Sequence, residues 1–326
     1  MAEPTVALSR RRSIAMKDEV TYGVDVFGGT VLAADVLNAR NINVSPQVQN
    51  FDAMPEAAGF LGRRASIPLV PAIQVTFEIP LRGAGAAYSA VLLPEAGLPF
   101  RGCGFLETTD FTPATENVVY TLRSTGREAM TIYVLQENGV SYELVGCFGD
   151  WQMTWAVGQP IILACTFTGK VDLFGSVALV TGTPNATLQY PQFKSALFQI
   201  GTENFAAKMA QIVLNGGNSI QPQIDQNDLR TVAGFFIDNR DPSGSLDAEV
   251  VAPATFDWFD KLEKGELMDM TWQSGPDTQY NRVKVSIPKV QITNIQEGER
   301  SGARVFNVSF NLRVDAGNDE ISITYD

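Results

Sequence analysis

The chain has 326 residues, with 24 Lys and Arg against 36 Asp and Glu, a net charge of −12 and no histidine. The missing imidazoles exclude Ser-His-Asp and Cys-His catalysis, His-ligated zinc or haem, and a histidine switch near neutral pH. Three cysteines exclude a four-cysteine metal site within one chain, and an acidic balance opposes a protein that grips nucleic acid through its phosphates.

Residues 1–20 read as a solvated, mobile N-terminal arm. They carry Arg10, Arg11 and Arg12, but Lys17, Asp18 and Glu19 stand where an export signal needs an apolar run. No window of about 18 apolar residues occurs, so no membrane insertion is expected. Residues 45–72 show no regular period and read as a long loop. Val75, Phe77, Ile79 and Leu81 then alternate with polar neighbours, which predicts a half-buried strand. A short helix is predicted over 86–93, stopped by Pro94. An insertion at 107–128 precedes a hairpin over 131–147 and strands near 151–155 and 161–167. A second long loop spans 216–245. Such loops in a compact domain are usually functional or ordered by a partner.

A strand over 246–252 leads to a second helix. Phe256, Phe259 and Leu262 recur every three residues, with Thr255 as the cap, Asp257 and Asp260 early, Lys261 and Lys264 late, and Gly265 after. Strands near 267–272, 283–292 and 304–314 follow. In the last, Phe306, Val308, Phe310, Leu312 and Val314 face one way and polar residues the other.

The order strand, helix, antiparallel strands therefore occurs twice. It predicts a mainly β chain with two copies of one unit, at 21–180 and 181–326. That matches a prior of roughly 150 residues per domain.

Candidate chemistry is sparse. Asp225, Asp228, Asp238 and Asp241 lack the spacing of a calcium loop and read as turn residues. Gly83-Ala84-Gly85 follows a strand but fails the dinucleotide pattern at Tyr88, and reads as a flexible turn. Asp257 and Asp260 suit a helix dipole better than acid–base work. Trp151, Met153 and Trp155 share one strand face, as core or interface. Cys103, Cys147 and Cys165 read as small buried hydrophobes. No catalytic, cofactor-binding or metal-binding residue is assigned, and no enzyme activity is expected.

Several segments together resemble a known family. These are Val20-Thr21-Tyr22-Gly23-Val24, residues 37–44 with the loop after them, residues 143–149, Thr166-Phe167-Thr168-Gly169, residues 238–245, and the end of the chain from 283 to 321. They resemble the tail tube proteins of long-tailed bacteriophages, in the form with two tube-type domains per chain. The resemblance implies tandem β-sandwich or barrel domains, each with a flanking helix. It implies a homotrimeric ring of pseudo-sixfold symmetry, stacked into a hollow conduit for genome delivery. Tape measure protein and double-stranded DNA would occupy the lumen without specific binding. Terminator and baseplate proteins would sit at the ends, in a virion assembled in the host cytoplasm. The alternative keeps the fold in a tail terminator, a baseplate hub or a type VI secretion tube. A carboxylate-using β-sandwich enzyme would need two acidic residues about 5–9.5 Å apart in a cleft.

Overall fold

The first half opens with β1 (Arg12–Asp18), the short β2 (Val36–Leu37), and the long strands β3 (Arg40–Phe51) and β4 (Ile67–Pro80). Helix α1 (Gly97–Gly102) follows, then β5 (Phe105–Asp110) and β6 (Asn117–Leu122). Strands β7 (Met130–Gln136), β8 (Ser141–Ala156) and β9 (Ile162–Gly175) complete it. The second half holds β10 (Phe198–Ile200), β11 (Glu203–Asn204), β12 (Met209–Asn215), β13 (Asn218–Ile224), β14 (Val232–Arg240) and β15 (Ser243–Glu249). Helix α2 (Trp258–Lys264), β16 (Leu267–Ser274), β17 (Val283–Arg300), β18 (Ala303–Arg313) and β19 (Ser322–Tyr325) end the chain. This computed structural model describes residues 11–51, 66–183, 190–194, 197–205, 208–274 and 279–326.

The strands pair antiparallel. Across the first half the order is β1-β7-β8-β9-β4-β3. Across the second it is β10-β16-β17-β18-β15-β12. Position by position the two orders follow the same path, with a helix after β4 in one and after β15 in the other. Among the described residues, the strand pairings β8 with β12 and β6 with β19 join the halves. Every second residue is buried from Leu163 to Val171 in β9 and from Phe306 to Leu312 in β18, as the alternation predicts. One hydrophobic core runs through both halves, from Ile14 to Tyr325.

Five expectations change. Within the stretch read as a mobile arm, Arg12–Asp18 is a strand paired along β7. Ile14, Ala15 and Met16 are all buried; both faces are covered, so no alternation betrays the strand. Residues 1–10, with Arg10, lie outside the described residues.

The loop expected over 45–72 is largely the hairpin of β3 and β4, with residues 52–65 outside the described set. Pro46, Gln47, Gln49 and Asn50 gave no period because neither face is buried there. The loop expected over 216–245 is mostly the hairpin of β13 and β14, running on into β15. Its two register shifts break the period of two.

The first helix is at Gly97–Gly102, after Pro94 and not before it. Residues 89–92 close a tight turn, Ser89 bonding Leu92 in both directions. Val91 is 95% exposed, so the segment offers no apolar stripe for a helix to bury. The second helix is capped by Asp257 instead of Thr255. The Asp257 carboxylate accepts from the backbone N–H of Phe259 and Asp260, and Gly265 ends the helix in the left-handed region at φ 60°.

Candidate assembly interface

The chemistry-bearing residues of the sequence do not converge. Asp225 and Asp228 sit at the tip of the β13–β14 hairpin, where they accept from the N–H of Asn227 and Arg230. Asp228 also pairs with Lys170. Asp238 and Asp241 are at the other end, about 20 Å away for six residues of strand. Among the described residues, no group of three or more Cys, Asp and Glu could hold a metal. Gly83 and Gly85 pack against the second half instead of cradling a phosphate. Their N–H groups donate to Asn281 Oδ1 (3.2 Å) and the Tyr280 carbonyl (3.0 Å). Asp260 pairs with Lys264 at 2.7 Å on the helix surface. Trp151, Met153 and Trp155 are buried, and the three cysteines are buried free thiols.

What the structure does build is a seam. The end of β8 pairs with β12, from Gln152↔Asn215 to Ala156↔Gln211. Flanking bonds extend it: Gly216 N–H to the Trp151 carbonyl and Val157 N–H to the Ala210 carbonyl, each 2.8 Å. The side chains of Gln152 and Asn215 bond across it at 2.7 Å. One sheet thus continues from half to half.

The strands that hold the matching positions at the outer ends of the chain have no such partner. Among the described residues, β3 pairs with β4 alone. Residues 293–300 of β17 pair only with β18. At that tip Arg300 reaches β15, donating to Asp247 (2.6 Å) and Glu249 (2.8 Å). Asp247 in turn accepts from the N–H groups of Ala210 and Gln211, at the irregular start of β12. The extended tip is therefore braced, not frayed. Long unpaired edges are templates for pairing with another chain.

The β13–β14 hairpin makes a further contact between the halves. It leaves the main sheet and lies on the first half, burying Val232, Phe235 and Ile237 against Ala72, Ala129 and Phe148. Polar anchors fix it. Asn218 donates to the carbonyls of Cys103 (2.8 Å) and Gly149 (2.9 Å), and Arg127 to that of Ile237. Tyr22 donates to the Phe235 carbonyl at 2.7 Å. Glu19 holds the turn beneath Tyr22 by accepting from Gly23 and Gly146 (2.6 Å each) and Thr131 (3.2 Å). Burial still pushes the Glu19 carboxyl above its ordinary pKa. Sequence reasoning missed these anchors as contacts. Tyr22 and Gly23 lie in the segment Val20 to Val24, and Gly146 in residues 143–149, both quoted for the resemblance, but neither segment marks a contact.

A sequence family described as phage tail tube protein matches residues 9–318. The chain belongs to the phage tail tube protein family. It is a structural tail tube subunit, a mainly β component of the virion that assembles with itself into a tube. No curated protein matches this tail tube protein.

Proposed function

We propose that the tail tube subunit closes into a ring of three chains. Each chain supplies two copies of one β unit, at 21–180 and 181–326, giving pseudo-sixfold symmetry. The β8–β12 seam carries this reading. Its counterpart between chains pairs the outer part of β17 with β3 of the next chain. Each contact is heterologous, using two different surfaces, and such a contact closes a ring when its rotation divides a full turn. Six modular steps then complete the circle with three seams inside chains and three between them.

Rings stack into a hollow tube that conducts the genome. Double-stranded DNA and a tape measure protein occupy the lumen without specific binding. With −12 per chain, like charge opposes DNA adhesion. Terminator and baseplate proteins cap the ends, and assembly takes place in the host cytoplasm.

Electron microscopy of the purified, assembled protein tests this. Hollow striated tubes with three chains per ring are expected. Rings of six chains, or a wild-type chain that stays monomeric in all conditions, overturn it.

A further inference from the structure

The two halves treat their long hairpins differently. In the second half, the connection between β12 and β15 is the β13–β14 hairpin, seated on the first half. In the first half, the corresponding connection is the outer part of the β3–β4 hairpin. Its residues 45–51 have no buried side chain, and Val48, Phe51 and Ile67 are more than half exposed.

The seat under the second hairpin can be located in the other half by shared backbone bonds. Asp18 pairs with Met130, and the next residue, Glu19, donates its N–H to the Ala129 carbonyl at 2.9 Å. Ile200 pairs with Met270, and the next residue, Gly201, donates to the Asp269 carbonyl, also at 2.9 Å. Asp269 therefore stands where Ala129 stands. Counting three residues back from each methionine sets Leu267 in the place of Arg127. Met130 pairs with Cys147 and Met270 with Ile287, so Pro288 takes the place of Phe148.

In the first half these positions lie beneath the hairpin, with Ala129 and Phe148 buried. In the second half Asp269 and Leu267 are exposed, Leu267 by 47%. They border a groove of about 440 Å³ that also takes in Gly201, Pro288 and Lys289. The chain thus carries one filled seat, one open seat and one unseated hairpin.

We propose that residues 45–51 and 67–70 of one chain seat in this groove on the second half of its neighbour in the same ring. The occupant is a second copy of this chain, because the filled seat already shows the hairpin of one unit lying on the next. The inference rests on the three-chain ring and adds a clasp beside each seam between chains.

The test is a double variant, Val48→Cys with Leu267→Cys, assembled into tubes and treated with a short bis-maleimide. The native thiols are buried and do not compete. Covalent dimers and trimers are expected, with nothing larger, because the clasp closes on itself after three chains. Tubes that form but give no product overturn the seat alone. Products beyond trimers also overturn it, since they place the hairpin on another ring. A wild-type chain that never assembles overturns both the ring and the clasp. An independent arm uses Val48→Asp, at an exposed position that leaves the monomer's unfolding curve unchanged. It is expected to cut ring yield at least tenfold; wild-type yield overturns the proposal.

Discussion

Trp155 and Trp272 meet edge to face, one indole from each half of the chain, with ring centroids 5.3 Å apart and planes at 88°. Phe198 also packs on Trp272, with ring centroids 5.6 Å apart. Aromatic pairs favour this arrangement because a positive ring edge meets a negative face. Both indoles are fully buried, so truncation removes apolar area and leaves a cavity. Trp272→Ala is expected to lower the monomer's unfolding free energy by about 3–5 kcal/mol. Chemical denaturation followed by far-UV circular dichroism measures this. A loss below about 1 kcal/mol would show that the halves do not depend on this contact.

Gly83 leaves no room for a side chain where the halves meet. A Cβ there would fall on the Tyr280 carbonyl oxygen and against the Tyr88 hydroxyl. The Tyr280 carbonyl cannot simply move, since it accepts from Gly85 N–H (3.0 Å) and Tyr88 Oη (3.2 Å). Gly83→Ala is therefore expected to cost about 1–3 kcal/mol by overpacking. Gly126→Ala is a useful control for space: nothing lies within 4 Å of its Cβ, and its cost comes only from a φ of +65°. A melt in which Gly83→Ala matches wild type would refute the packing argument.

How much of this was legible in the sequence follows from what is buried. Strand β18 was readable because Val308, Phe310 and Leu312 face the core and Asn307 faces out. Helix α2 was readable from its dipole-matched charges, although the cap lies two residues later than expected. The β3 hairpin was not, because a strand solvated on both faces leaves no hydrophobic signature. The seam was illegible for another reason. Pairing Trp155 with Ile212 is a choice between distant strands, and local periodicity carries no information about partner or register. The resemblance named the family, but only the pairings identify the unpaired edges.

Glu19 gives a pH signature. Burial raises its pKa above the ordinary 4.5, and its hydrogen bonds with Gly146, Gly23 and Thr131 offset only part of that rise. Between 4.5 and the raised value the folded chain holds a proton that the unfolded chain has lost. Stability from this group is therefore full below pH 4.5 and declines as pH rises through the folded value. Glu19→Gln removes the titration. The stability of wild type relative to this variant should be constant below pH 4.5 and fall as pH increases above it. Denaturant titrations at intervals from pH 4 to 7 supply the comparison. A difference that grows in favour of wild type with rising pH would mean the carboxylate is stabilised, not strained, by its site.

Arg240 and Glu320 form a largely enclosed ion pair beside the second hairpin. Their side chains are 13% and 6% exposed; Arg240 donates from Nε (3.0 Å) and Nη2 (2.8 Å) to Glu320 Oε1 and from Nη2 to Oε2 (3.1 Å). Arg240 also donates to the Arg123 carbonyl and to Asn318, each at 2.9 Å, tying the end of β14 to the segment before β19. Breaking such a pair from one side strands a charge away from water, which costs about 3–5 kcal/mol. Replacing both partners with apolar residues removes that penalty. Glu320→Leu alone is thus expected to destabilise more than Arg240→Met with Glu320→Leu, even though the double variant loses more hydrogen bonds. Equilibrium unfolding of the two variants decides it. If the double variant is the less stable, the bonds to Arg123 and Asn318 outweigh the stranded guanidinium, and Arg240 acts as a strut for the hairpin more than as a partner for Glu320.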